Sequence, residues 1–138
     1  MANVTFTATA IKEGANAQTA WGFAGEAVTR GQAVYQLSTD NEYYAADATN
    51  AAKDAAVGFA LNDAADGQKL KVIKGGNMTC DGLTAGKTYV LHTAGLIQDI
   101  SGTEPAIGDY VTVMGAASSA TNLVIPVGGP VVTAYLLA

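Results

Sequence analysis

Hydrophobic and polar residues alternate along short stretches of this chain, and glycines separate the stretches. In Asn3–Ile11, the residues Val4, Phe6, Ala8 and Ala10 alternate with threonines. Because successive strand side chains point to opposite faces, this period of two predicts a strand with one buried face. Seven further stretches have strand-like composition: Gln32–Leu37, Val57–Leu61, Leu70–Lys74, Thr88–His92, Tyr110–Met114, Leu123–Val127 and Val131–Leu136. The pattern predicts an all-β domain, either a β-sandwich or a jelly-roll-like barrel.

One stretch favours a different element. Ala45–Ala56 is rich in alanine, the strongest helix former. Asp47, Asn50 and Asp54 interrupt it with residues that favour turns, and it has no bulky apolar side chains at helical spacing. We therefore expect a loop here, with at most one short helical turn.

The strand pattern occurs twice in the same order. Each copy has a turn glycine before its first strand, a glycine in its second and a Gly-Gly pair after its third. The matched glycines are Gly31 with Gly86, Gly58 with Gly115, and Gly75-Gly76 with Gly128-Gly129, at separations of 55, 57 and 53 residues. We call residues 29–76 unit A and residues 84–129 unit B. We predict a single domain over residues 1–138, in which two similar three-strand units pack face to face.

The composition limits the partners that the surface can have. Hydrophobic residues make up 49% of the chain and charged residues only 14%, against about 25% charged in a typical domain. We therefore expect other protein subunits to cover part of the surface. Seven basic residues and a net charge of −5 argue against nucleic-acid binding. The sequence shows neither a secretory leader nor a membrane-spanning run, and its single cysteine, Cys80, makes no internal disulfide, so we expect it to fold in a cytosol.

The sequence contains no familiar catalytic or metal-binding motif. Gly82–Thr88 resembles a phosphate-binding loop, but it has three residues between its glycines instead of four, and strand-like residues follow it. One histidine and one cysteine cannot complete a zinc site, so we expect His92 to be a strand residue with a hydrogen-bonded ring, and Cys80 to be buried. We predict no catalytic residue, no cofactor, no metal and no small-molecule substrate.

Two groups of apolar residues are candidates for contacts with a partner. In the pair Tyr43-Tyr44, adjacent strand residues point to opposite faces, so at most one is buried. The second group lies in a strand or arm over residues 1–11 and another over residues 130–138, which are unusually apolar for chain ends. Core filling is expected for Trp21 and Phe23. The candidate contact residues are Val4, Phe6, Tyr43, Tyr44, Val132, Tyr135 and Leu136.

Five segments share their pattern of turns and strands with one known family. They are Gly31–Tyr35, Ala45–Ala48, Ala56–Leu61, Gly67–Val72 and Gly82–Leu91. Over residues 29–129 the chain resembles the small capsid cement, or decoration, proteins of tailed bacteriophages. This resemblance implies an all-β protein without catalytic residues, made in the bacterial cytoplasm and bound to the outside of the phage head. There it would lock neighbouring major capsid protein subunits together, as a homodimer or homotrimer.

Three functions from different classes follow from the sequence. The leading hypothesis is a structural virion protein. The alternative is a tail-fibre or carbohydrate-binding β module, which would need an exposed groove with aromatic faces. The third is a small hydrolase, which would need a cleft with two carboxylates about 5–10 Å apart and one strongly raised pKa.

Overall fold

The computed structural model describes residues 3–4, 6–48, 53–92, 95–99, 110–126 and 129–136; at residues 3, 8, 110, 111 and 131–136 it describes the backbone alone. The described strands are β1 Asn3–Val4, β2 Lys12–Glu13, β3 Gln18–Phe23, β4 Ala33–Gln36, β5 Tyr43–Ala45, β6 Gly58–Ala60, β7 Lys69–Thr79, β8 Thr88–Leu91, β9 Ile97–Asp99, β10 Tyr110–Ser119, β11 Asn122–Ile125 and β12 Val131–Leu136. The helical structure in these ranges is one short 3-10 turn, Ala8–Ala10. These ranges hold no helix long and apolar enough to cross a membrane.

The strands hydrogen-bond into one curled antiparallel sheet. Their order is β1-β9-β8-β10-β11-β7-β6-β4-β5, with β12 added to β10, and with β2 and β3 added to β7. Because the sheet curls into a half-barrel, its two ends enclose a common core. The predicted all-β, barrel- or sandwich-like domain is confirmed.

Units A and B repeat the same strand order. Unit A has the order β5-β4-β6-β7 and unit B has the order β9-β8-β10-β11. The backbone bonds also match: Gly31 N–H donates to Ala60 O at 2.9 Å, and Gly86 N–H donates to Ala117 O at 2.8 Å. In the third strands, Val72 lies opposite Ala60 and Leu123 lies opposite Ala117. The sequence pattern aligns Leu70 with Leu123 in the third strands. The strand pairing instead aligns Val72 with Leu123, a shift of two residues.

Strand β7 belongs to both units. Its first half, Lys69–Gly75, pairs with β6 and β3, and its second half, Gly76–Thr79, pairs with β11 and β2. The two halves are offset by a bulge, since Gln18 lies opposite Gly75 while Thr19 lies opposite Ile73. The bulge lets Ile73 and Met78, five residues apart, both enter the larger core cluster. Strict alternation would have put them on opposite faces.

The core consists of two clusters, one on each face of the unit A strands. The larger cluster lies between the units and includes Phe59 and Ile73 from unit A with Leu91 and Leu123 from unit B. The smaller cluster covers the other face of unit A, and its larger members are Val28, Val34, Tyr43, Leu70 and Val72. Because both faces of these short strands are buried, their sequences read as continuous apolar runs.

The predicted strand over Asn3–Ile11 is wrong for most of its length. Only Asn3–Val4 pairs as a strand, and the chain then turns. Thr7 N–H donates to the Asp81 carboxylate at 2.8 Å, and Ala10 N–H donates to Thr7 O at 2.9 Å. One long-range bond and one turn bond thus satisfy these backbone groups without a neighbouring strand. The expected loop over Ala45–Ala56 has no helix in residues 46–48 and 53–56; residues 49–52 lie outside the described ranges.

We predict that Gly76→Ala destabilises the fold far more than Gly67→Ala. Both glycines have a left-handed backbone, with φ of 85° and 84°. A Cβ at residue 76 would lie 2.2 Å from Asn16 O, whereas one at residue 67 has open space. We expect Gly67→Ala to lower the free energy of unfolding by about 1 kcal/mol and Gly76→Ala by about 3 kcal/mol or more. Urea unfolding measures both values, and equal losses would contradict the bulge geometry.

Candidate functional site

The side chains of Trp21 and Phe23 on β3 project into solvent, with 64% and 50% of each residue's surface exposed. The expectation that they fill the core is therefore wrong. The alternation along β3 points Ala20 and Gly22 to the other face, where the Tyr43 ring packs so closely that a Cβ on Gly22 would lie 2.5 Å from its Cε2 atom. The two large side chains are left facing outward. We call Gln18–Phe23 together with Lys69 and Lys71 the aromatic edge.

Each exposed aromatic residue has a lysine as its cross-strand partner on β7. Trp21 lies opposite Lys71, and Phe23 lies opposite Lys69. The Lys71 ammonium is 5.7 Å from the Trp21 ring centroid, which is within cation–π range. Lys71 also forms an ion pair with Glu13, whereas Lys69 is exposed. The surface thus presents aromatic rings beside positive charge on a chain whose net charge is −5.

The outer edge of β3 is closed at one end and open at the other. Ala24 forms a parallel bridge with Tyr43, and Gly25 N–H donates to Tyr43 O at 2.9 Å, so β5 covers the end of the segment. From Gln18 to Trp21, no other strand of the described residues pairs with this edge. Strand β3 contains neither charge nor proline, the devices that usually protect a sheet edge.

The predicted contact residues whose side chains are described, Val4, Phe6, Tyr43 and Tyr44, do not form one exposed surface. Val4 is buried in the larger core cluster, and half-buried Phe6 packs edge-on against Phe59 with ring centroids 6.4 Å apart. Tyr43 is 2% exposed and belongs to the smaller cluster. Tyr44 is half-buried and stacks on Tyr35 at 5.7 Å.

The other three predicted contact residues, Val132, Tyr135 and Leu136, lie on β12. Their backbone belongs to a strand that pairs with β10, and their side chains lie outside the described part of the chain. Of all the candidates, Tyr43 lies next to the aromatic edge, because its ring covers Gly22. The sequence analysis did not identify Trp21 and Phe23 as exposed residues. The available signal was their spacing of two residues, with the small residues Ala20 and Gly22 before and between them.

A small cleft lies beside the N-terminal strand. It has a volume of about 120 Å³ and is lined in part by Val4, Phe6, Arg30 and Ile97. Ligand pockets usually measure about 300–1,000 Å³, so this cleft suits a few water molecules better than a sugar or nucleotide. The Arg30 side chain, which belongs to this lining, donates to Ile11 O.

Two other side chains with possible chemical reactivity, Cys80 and His92, are buried and half-buried, respectively. Burial, followed by the charge of Asp81, raises the pKa of Cys80 to about 11, which keeps its thiol protonated and unreactive. The ring Nδ1 of His92 is buried without a hydrogen-bond partner in the described part of the chain, so the expected hydrogen-bonded ring is wrong at that atom. No cluster of three metal-ligating side chains occurs among the described residues.

Asp54 is the one buried acid among the residues that the structure describes. It is 7% exposed, and burial raises the pKa of its carboxyl group above the ordinary value. Its carbonyl oxygen accepts a hydrogen bond of 2.6 Å from the buried Thr112 hydroxyl. Asp54 therefore joins the loop before β6 to strand β10 through its backbone.

No protein-family model matches this chain, and a search of curated proteins finds no match either.

We predict that Trp21→Ala and Phe23→Ala change folding stability little. Since both side chains are exposed, each change should lower the free energy of unfolding by less than about 1 kcal/mol. Phe59→Ala, in the larger core cluster, is the matched control and should cost about 3–5 kcal/mol. Chemical denaturation measures all three. A loss at residue 21 or 23 comparable to that at residue 59 would place these residues in the core.

We predict that Asp54→Asn stabilises the protein at neutral pH. Because the folded-state pKa is raised, the ionised carboxylate opposes folding once the pH exceeds the ordinary value of 3.8. Asparagine removes this penalty, so the melting temperature should rise at neutral pH and the gain should vanish below about pH 3.8. Asp66→Asn, at an exposed position, is the matched control and should leave the melting temperature at neutral pH nearly unchanged. A gain that does not depend on pH would contradict this account.

Proposed function

We propose that this chain is a structural virion protein that binds the outer surface of a phage capsid and clamps neighbouring major capsid protein subunits. The resemblance of residues 29–129 to capsid cement proteins supports this function. The observation that carries it is the exposure of Trp21 and Phe23 on an uncharged edge strand. Large aromatic side chains are enriched at the energetic centres of protein interfaces, where a partner removes them from water.

Such a protein acts through the surface it buries, without a catalytic step or a cofactor. A standard interface buries about 1,600 Å². A homodimer or homotrimer would carry two or three copies of the aromatic edge and could bind adjacent capsid subunits at once. Simultaneous binding multiplies the affinity of the single contacts, which suits a clamp on a repeating shell.

The alternative is a tail-fibre or carbohydrate-binding module, and the exposed ring of Trp21 is the feature that favours it. An exposed tryptophan is a typical stacking platform for the apolar face of a sugar. Lys71 lies over this ring at 5.7 Å from its centroid and would favour a sugar that carries a carboxylate. Binding of the isolated protein on a glycan array, lost in Trp21→Ala, would support this function in place of the capsid function.

We predict that the purified protein binds phage shells from which it has been omitted and raises the temperature at which they rupture. The Trp21→Ala/Phe23→Ala double variant should bind about tenfold more weakly or worse, because interface aromatic residues carry a large share of the binding energy. Co-sedimentation measures binding, and thermal release of packaged DNA measures shell stability.

Val124→Ala on β11 is the matched control, since Val124 is the third exposed large hydrophobic residue of the described chain. It should bind shells like the unmodified protein. Failure of the unmodified protein to bind the shells would contradict the proposed function. Equal binding by the double variant would show that the aromatic edge is not the contact.

A further inference from the structure

The open part of the β3 edge has an occupied counterpart inside the same molecule. The row Ala60–Val72–Ala20 in unit A corresponds to the row Ala117–Leu123–Met78 in unit B. Beyond Met78 the sheet continues, because Glu13 of β2 pairs antiparallel with it. At the equivalent place beyond Ala20, no described strand is present. The fold therefore accepts one more strand at this position in unit B, and no described strand takes the position in unit A.

Backbone hydrogen-bonding groups point out of this open edge. Ala24 N–H donates to Gln68 O on the β7 side, whereas Gly25 N–H donates to Tyr43 O on the opposite side. Since these directions alternate along a strand, Thr19 and Trp21 also direct their N–H groups away from β7. In unit B the equivalent backbone groups form hydrogen bonds. Asn77, which corresponds to Thr19, donates its N–H to Ala15 O at 3.2 Å, and its carbonyl oxygen accepts from Gly14 N–H at 2.8 Å.

The charges beside this edge select the chemistry of the incoming strand. Lys69 and Lys71 are the cross-strand partners of Phe23 and Trp21. Lys71 is already paired with Glu13 on β2. Lys69 forms no ion pair with any described residue. An added strand would lie about 10 Å from β7, with β3 between them, so acidic side chains on its aromatic face would be attracted to these lysines across Trp21 and Phe23. A second copy of β3 would bring no charge at all.

We infer that the edge of β3 from Gln18 to Trp21 binds an extended, acidic segment of a partner protein as an additional antiparallel strand. Main-chain bonds to Thr19 and Trp21 supply affinity, and carboxylates attracted across β3 to Lys69 and Lys71 supply selectivity. This inference rests on the proposed function only in taking the strand donor to be a subunit of the capsid shell.

The test uses a blocked hexapeptide that alternates glutamate and valine, and a second that alternates lysine and valine. Trp21 is the only tryptophan of the chain, so its fluorescence reports the site directly. We expect a saturable change with the glutamate peptide, about tenfold weaker binding of the lysine peptide, and weaker binding at high salt. Hydrogen exchange should slow at the amides of Thr19 and Trp21.

Two variants separate the backbone contact from the charge contact. Thr19→Pro removes an outward N–H and should weaken binding of the glutamate peptide about tenfold or more, whereas Thr19→Ala should bind normally. Lys69→Glu, at an exposed position, should weaken the glutamate peptide and strengthen the lysine peptide. If Thr19→Pro does not fold, the charge reversal and the exchange data still decide the question.

Several results would overturn the inference. They are the absence of any Trp21 response to the glutamate peptide, equal binding of both peptides, or normal binding by Lys69→Glu. A Trp21 change that depends on protein concentration without peptide would show that a second copy occupies the edge. If the protein binds the peptide but not the shells, the capsid function fails and the strand site stands. If Thr19→Pro and Lys69→Glu, both folded, bind the shells normally, the strand site fails and the capsid function stands.

Discussion

Between Ile73 and Gly75 of β7, one extra residue lets both halves of the strand turn apolar side chains toward the same core. Ile73 and Met78 meet in the larger cluster because of this bulge, and the left-handed backbone of Gly76 allows the close approach of Asn16 O. One strand can then end unit A and begin unit B. The two units are held together by continuous backbone hydrogen bonds as well as by the side chains packed between them.

The same arrangement explains why β3 is an exposed edge. Unit B has a strand beyond its first strand, because β2 pairs with the second half of β7. Unit A has no described equivalent, so the backbone groups of Thr19 and Trp21 point away from β7 without a partner strand among the described residues. The large side chains of Trp21 and Phe23 are outward because Tyr43 fills the space over Gly22 on the other face. The aromatic edge is exposed because the extra strand is present in unit B and has no described counterpart in unit A. The lysines of this edge give it a charge opposite to the net charge of the chain.

Much of the fold could be predicted from local patterns. Period-two alternation and turn glycines located β4, β6, β7, β8, β10, β11 and β12, and the glycine spacing indicated two units with one strand order. The short strands β2, β3 and β9 were missed, and β5 was indicated only by the pair Tyr43-Tyr44, because stretches of two to six residues carry little periodic signal. The N-terminal alternation predicted a strand over Asn3–Ile11, but only Asn3–Val4 forms one. Beyond it, hydrogen bonds from Thr7 to Asp81 and within the turn take the place of a strand partner.

The sequence alone determined the all-β class, the repeated unit and the scarcity of charge, because each of these depends on local propensity or on composition. Which aromatic residues are buried depends instead on contacts between residues far apart in the chain. Tyr43 was a candidate for the surface and Trp21 for the core, and the structure places each in the opposite environment. No local pattern distinguishes them: both are aromatic strand residues, and the decision lies in the packing of β5 against β3, about twenty residues away along the chain.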